Sequence, residues 1–454
     1  LFLFVIGVPA NIMTVVTKSP LLLVLTAIMV CVNMLFCFFG AKLFKCDLED
    51  AIIASNATVT TTITLGDGAV LRNFGGMSAV RATGEAKLVM EPGSVIEDAS
   101  SITRSKGDAG SVGPAGAVWL QGSDFEMENG AEIKNVNGRA VYADGGSVSV
   151  GGTISGIIGN PAMWQGKDGT AIHLRGSAKA TLNGKISDCT EGVLVFVDKA
   201  VFEMATGSFL GNSDAAGIKT NEDPTWSLVN KDDYGTDRNT ITIHGEISGI
   251  KNNKTPIQFK FGTLLIGADS NIHHNSVFYG TLYIQRDAIV DIYGKINNND
   301  ASSRGGGVAT AGHGEVVINM YEGAEVKGNT AVKNGGGIMI SSNTSFTMYG
   351  GEISGNVSQT VGGGIYQYKN NSKVELQGGT IRDNTMNATD VKDSSTGTEN
   401  DITISNQGNG SSNHYLYISQ NLTIRMSISR LTLQPSPPRR TVWTSSWATP
   451  AKRV

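Results

Sequence analysis

Between Asn319 and Asn384 the chain writes one phrase three times. Met320-Tyr-Glu-Gly-Ala-Glu-Val326-Lys-Gly-Asn329 is followed by Gly335-Gly-Gly-Ile338. Met348-Tyr-Gly-Gly-Glu-Ile353-Ser-Gly-Asn356 is followed by Gly362-Gly-Gly-Ile365, and the third copy is Leu376-Gln-Gly-Gly-Thr-Ile381-Arg-Asp-Asn384. Met320, Met348, Leu376 and Ile404 follow one another at intervals of 28 residues. A period of this size means a stack of like units, each burying its apolar face against the next.

Each unit carries short alternating apolar runs, such as Ser345–Tyr349 and Gly364–Tyr368. Alternation with β-branched and aromatic residues reads as strand. Glycine pairs between the runs read as sharp turns that need positive φ. The segments between them are too short for a helical crossover, and the unit is shorter than the roughly 40–45 residues of a propeller blade. The expected fold is all-β: a parallel β-helix of about 11–12 coils stacked at ~4.8 Å, about 55 Å long. Asn299, Asn329, Asn356 and Asn384 each follow an apolar residue by three positions. They are expected to form a structural turn ladder, with each amide bonded to the one above and the residues in left-handed turns.

Taken in order, 1–45 predicts a signal peptide or membrane anchor. Leu21–Ala41 is a run of 21 uncharged residues, long enough to span a bilayer as a hydrophobic helix. With a start at Met13, Lys18 serves as a basic flank before an apolar run, as in a secretory signal. Residues 46–85 are expected to cap the open end of the core. The β-helix is expected over 86–405, with core strands at Leu88–Met90, Phe125–Met127, Val148–Val150, Ala180–Leu182 and Phe202–Met204. The series continues at Ile241–Ile243, Leu264–Ile266 and Val290–Ile292. Residues 406–454 read as an irregular or truncated tail, because Arg425–Val454 holds six basic residues and no acidic one.

Without 1–49 and 425–454 the chain has 27 basic and 38 acidic residues. An acidic rod does not bind nucleic acid by counterion release. Three of the four cysteines precede residue 50, so disulfides are not expected to hold the fold. Two long loops, Ala99–Pro114 and Ser213–Asn239, are expected on the outside of the stack. Function often lives on such loops. The candidate ligand-binding residues are Trp226, Asp232, Asp233, Asp237 and Arg238 in the second loop, with Trp164, His173 and Arg175 near Pro161–Arg175. Aromatic rings beside carboxylates suit sugar stacking or Ca²⁺, the one cofactor the sequence suggests. No catalytic residue is assigned. His273-His274 lacks a third ligand in the sequence, so no metal site is assigned either.

The Gly-Gly-Gly-Ile/Val signatures (Gly305–Val308, Gly335–Ile338, Gly362–Ile365), with Phe209–Asn212 and Gly355-Asn356, resemble the repeats of polymorphic outer-membrane proteins. They also resemble the wider pectin-lyase-like superfamily of right-handed β-helix proteins. The resemblance covers roughly 86–405. It implies a secreted or cell-surface adhesin, monomeric, that displays loops to a host or matrix glycan or protein and touches the membrane through its N-terminal segment. The same superfamily contains polysaccharide lyases and glycoside hydrolases, so an enzyme is the alternative. Gly312-His313-Gly314 looks like a polygalacturonase motif, but the Asn-Thr-Asp and Arg-Ile-Lys partners are absent from the sequence. Asp232 and His313 would also stand about three coils, or roughly 15 Å, apart, too far for a shared proton transfer. A non-enzymatic protein is the expectation.

Overall fold

The computed structural model describes residues 62–74, 78–100, 116–159, 169–220, 238–312, 314–368, 371–404, 414–418 and 426–428. The expected hydrophobic helix within 1–45 lies outside them. Within them the chain is all-β, and its strands fall into long parallel sheets. The first sheet holds 13 strands, from Thr62–Leu65 to His414–Ile418. After each of the first twelve the chain enters a second sheet of mostly three-residue strands, such as Val95–Glu97 and Glu325–Lys327. It then passes to a third sheet, as at Val118–Gln121 and Ile338–Ile340, in the later coils by way of a short six-stranded sheet that starts at Ser276–Tyr279, and returns to the first. Most strands thus pair with their counterpart one circuit later, for example Val316–Met320 with Thr344–Met348. This order and pairing are compatible with a parallel β-helix.

All the core strands expected from the sequence lie in the first sheet, in register: Leu88 on Phe125, Phe125 on Val148, Val148 on Ala180, and onward to Phe346 on Val374. Alternation explains this arrangement. In Val316–Met320 the residues Val316, Ile318 and Met320 are buried, while Val317 and Asn319 are only partly so. Inward residues from the three sheets merge into one continuous aliphatic core. Each stacked pair removes apolar surface from water on both neighbours, which is how repeat architectures gain stability.

The structure corrects the sequence reading in several places. The second-sheet strands were not anticipated, because three residues are too few to display a period. Ile404 does not stand above Leu376 despite the 28-residue interval. It lies in the third sheet on Gln367, and Ile418 takes the place above Leu376. An excursion through 387–400, with the antiparallel pair Thr385–Met386 and Thr398–Glu399, delays the return. The expected cap contains a coil in full register: Thr62–Leu65, Val70–Arg72 and Val80–Thr83 pair with Lys87–Met90, Val95–Glu97 and Val118–Gln121. The loop expected from Ser213 starts later, because Phe209–Thr220 is one strand. In the expected tail, Met426–Ile428 pairs with Ile402–Ile404.

The turn that ends each second-sheet strand explains the repeat's two signatures together. The residue with positive φ is the one before the expected Asn: Asn298 (53°), Gly328 (63°), Gly355 (61°) and Asp383 (57°). Only Gly, Asn and Asp take this conformation readily. The ladder residue itself points inward and is fully buried at Asn299, Asn329, Asn356 and Asn384. Asn212 likewise occupies the left-handed place (φ 47°), and Ser213 the inward one. The third glycine of each triplet packs on this ladder. A Cβ on Gly337 would stand 3.0 Å from Asn356 Nδ2, and one on Gly364 would stand 2.9 Å from Asn384 Nδ2.

Candidate functional site

Two side-chain arrays run along the stack. The first is the asparagine ladder, which extends beyond the four residues anticipated. Asn275 Nδ2 donates to Asn299 Oδ1 (2.9 Å), Asn299 to Asn329 (2.9 Å), Asn329 to Asn356 (3.1 Å) and Asn356 to Asn384 (2.9 Å). Asn384 donates to the buried carboxylate of Asp401 (2.9 Å). Each amide also bonds a carbonyl of an earlier coil, as Asn329 Nδ2 does with Ile296 O at 2.8 Å. Each Oδ1 also accepts a backbone N–H from the coil before, as from Ile250 N to Asn275 and from Asn299 N to Asn329, both at 3.0 Å. Such saturation is what burial demands of polar groups. Asn275 was missed because it follows the His pair, and Asp401 because only 17 residues separate it from Asn384.

The second array is a column of rings on the third sheet, on the face away from the core. Trp119, Tyr142, His173 and Phe196 stand in register. The ring of His173 lies 4.9 Å from Tyr142 and 4.8 Å from Phe196, and it is 6% exposed. The Arg81 guanidinium lies 3.9 Å from the Trp119 ring centre, a cation–π contact. Arg175 is paired in register between Asp144 and Asp198. A hydrogen bond with Tyr142 raises its already high pKa further, with help from the two aspartates. The structure therefore brings His173 and Arg175 onto one strand, in contact with aromatic and acidic neighbours. Arg238 is exposed just before the strand Asn239–Ile243. Trp164, Trp226, Asp232, Asp233, Asp237 and His313 lie outside the described residues.

A second, shorter aromatic stack follows the first sheet: Tyr293 and Tyr321 at 4.2 Å, and Tyr321 and Tyr349 at 5.2 Å. Burial and the nearby Asp291 push the Tyr321 hydroxyl up to about 12. The rings face one another, so the middle ring offers only its edge to a ligand. Cys189 is buried in the main core, and burial pushes its thiol up to about 12. On another turn, Asp269 accepts from Thr206 and from His244 (2.6 Å), which together hold its carboxyl below the usual range. Among the described residues no group of three or more His, Cys, Asp and Glu side chains is placed to hold a metal ion. Among them, too, no helix is long and apolar enough to cross a membrane.

Comparisons with known proteins bear on the other end of the chain. Residues 1–68 match a family described as a protein of unknown function, DUF819. Over 59 residues the chain is 41% identical to the uncharacterized membrane protein YjcL of Bacillus subtilis (strain 168), covering 13% of this chain and 15% of that relative. No solved structure matches. These findings overturn the expectation of a secreted or cell-surface adhesin. The segment read as a signal peptide or anchor, with the start of the cap, resembles part of a membrane protein. The adhesin reading had rested on the glycine and asparagine signatures, which the structure accounts for as packing devices within the stack. The same signatures carried the likeness to polymorphic outer-membrane and pectin-lyase-like proteins, and no match to either supports it.

Proposed function

We propose that this is a membrane protein whose N-terminal segment is embedded in the bilayer and carries a right-handed parallel β-helix as a rigid, non-catalytic structural module. The observation that carries the membrane half is the match of residues 1–68, together with the 21 uncharged residues Leu21–Ala41. A run of that length suffices to span the hydrocarbon core. The module half is supported by the repeated circuit through stacked parallel sheets and the saturated ladder. Right-handedness follows the strong preference of parallel crossover connections. Thirteen strands at ~4.8 Å make a rod on the order of 58 Å. A stack held by many short ladders resists bending more than a chain of linked domains does, which suits a spacer. Alkaline carbonate extraction of membranes from cells producing the full chain tests the proposal. The full chain is expected to stay in the pellet, and a variant lacking 1–61 is expected in the supernatant. Full-length chain in the carbonate supernatant would overturn it.

A further inference from the structure

We infer that His273 and His274 form a two-nitrogen chelate for a late divalent transition metal of the Cu²⁺ or Ni²⁺ class. The two Nδ1 atoms stand 2.6 Å apart, and the rings are nearly perpendicular at 86°. Two imidazole nitrogens, each ~2.0–2.1 Å from one metal at a right angle, stand about 2.8–3.0 Å apart. A rotation of the two rings that converges both Nδ1 lone pairs on one point, with a few tenths of an ångström of separation, turns the contact into a chelate. The backbone sets the convergence. His273 ends the strand Asn271–His273, and His274 takes the left-handed turn place with φ 51°.

A second observation points the same way. His273 Nε2 lies 3.2 Å from Glu246 Oε1, and Ser248 Oγ donates to that carboxylate at 2.8 Å. The carboxylate thus holds the proton on Nε2 and turns the Nδ1 lone pair towards His274. Metal-binding histidines are commonly oriented in this way by a carboxylate on the other nitrogen. In the metal-free chain the Nδ1 contact needs one shared proton, which His274 supplies. Metal binding moves that proton to His274 Nε2 through solvent and leaves both Nδ1 lone pairs on the metal. His274 is exposed, so water fills the remaining positions. Tetragonal sites with nitrogen and oxygen ligands suit Cu²⁺ and Ni²⁺.

The test is Cu²⁺ titration of the full chain in detergent, followed by electron paramagnetic resonance. The expected result is one equivalent with hyperfine coupling from two imidazole nitrogens. His274→Asn keeps the left-handed turn and is expected to weaken binding at least 10-fold. Glu246→Ala is expected to weaken it roughly 10–100-fold, while His244→Asn is expected to leave it unchanged. Unchanged affinity in His274→Asn, a loss confined to His244→Asn, or no bound equivalent in the parent chain would each overturn the inference. Strand content by circular dichroism separates a lost ligand from a lost fold.

Discussion

Replacing Asn329 with Ala should open a defined breach in the middle of the stack. The Asn329 side chain donates to Ile296 O and Asn356 Oδ1 and accepts from Asn299 N and Asn299 Nδ2. After truncation Asn299 Nδ2 keeps its bond to Ile272 O, and Asn356 Oδ1 keeps the backbone N–H of residue 329. The Asn299 backbone N–H and the Ile296 carbonyl each lose the Asn329 side chain as a partner. The residues that carry these groups, Ile272, Ile296, Asn299 and Asn356, are each fully buried. Ile296 belongs to a strand paired in register with Val326, so its carbonyl stays within the sheet, and the one stranded buried group, the Asn299 N–H, costs about 1–3 kcal/mol. Repeat stacks couple mainly between neighbours, so the loss should stay local. Hydrogen exchange read by mass spectrometry should show faster exchange in peptides spanning 296–332 and 353–358, with 118–150 unchanged. Unchanged exchange at 296–332, or a uniform rise along the whole stack, would refute the reasoning. Asn329→Asp serves as a companion, since it keeps the acceptor but loses both donor bonds.

Gly337→Ala places a Cβ 2.7 Å from Gly364 O and 3.0 Å from Asn356 Nδ2, and overpacking of this kind costs about 1–3 kcal/mol. Gly323→Ala, with φ 84° and open space around it, should cost only the left-handed penalty of roughly 1–2 kcal/mol; urea unfolding of the two variants should rank them in that order. Cys189, with its thiol near 12, is roughly one part in ten thousand thiolate at pH 8. Peptide mapping after iodoacetamide should find it unmodified in the native chain and modified in denaturant. Thr206 and His244 lower the Asp269 carboxyl, so its support of the turn is present above the unfolded value near 4 and is lost as pH falls through the lowered folded one. Exchange at 267–270 should rise only in that acid window, and Asp269→Asn should remove the dependence.

The register of the first sheet was legible because its residues alternate over four or five positions and recur along the chain. The stacking of Leu88, Phe125 and Val148 follows from their spacing and alternation alone. The ladder was legible as a spacing but not as a conformation. The left-handed residue is Asn298 or Gly328, and the inward amide belongs to its successor. A reading that assigns both roles to one Asn sees the repeat and misplaces the turn. His173 shows a further limit. Its place among polar and aromatic residues suggested a ligand site, and the partners that flank it, Tyr142 and Phe196, lie 31 and 23 residues away in sequence. Only the register of the third sheet, set by coils of unequal length, brings the three rings together. Asp401 escaped notice for the same reason, since the excursion through 387–400 alters the interval on which the sequence argument depended.

The most direct test of a membrane-embedded segment carrying a single rigid module is controlled release. A protease site inserted after Asp50 in the full chain, cleaved on isolated membranes, should free one fragment that carries the stack. That fragment is expected to be soluble, strand-rich by circular dichroism and resistant to further digestion, with the N-terminal piece left in the pellet. A chain already soluble before cleavage, or a released fragment that is digested to small peptides, would contradict the account.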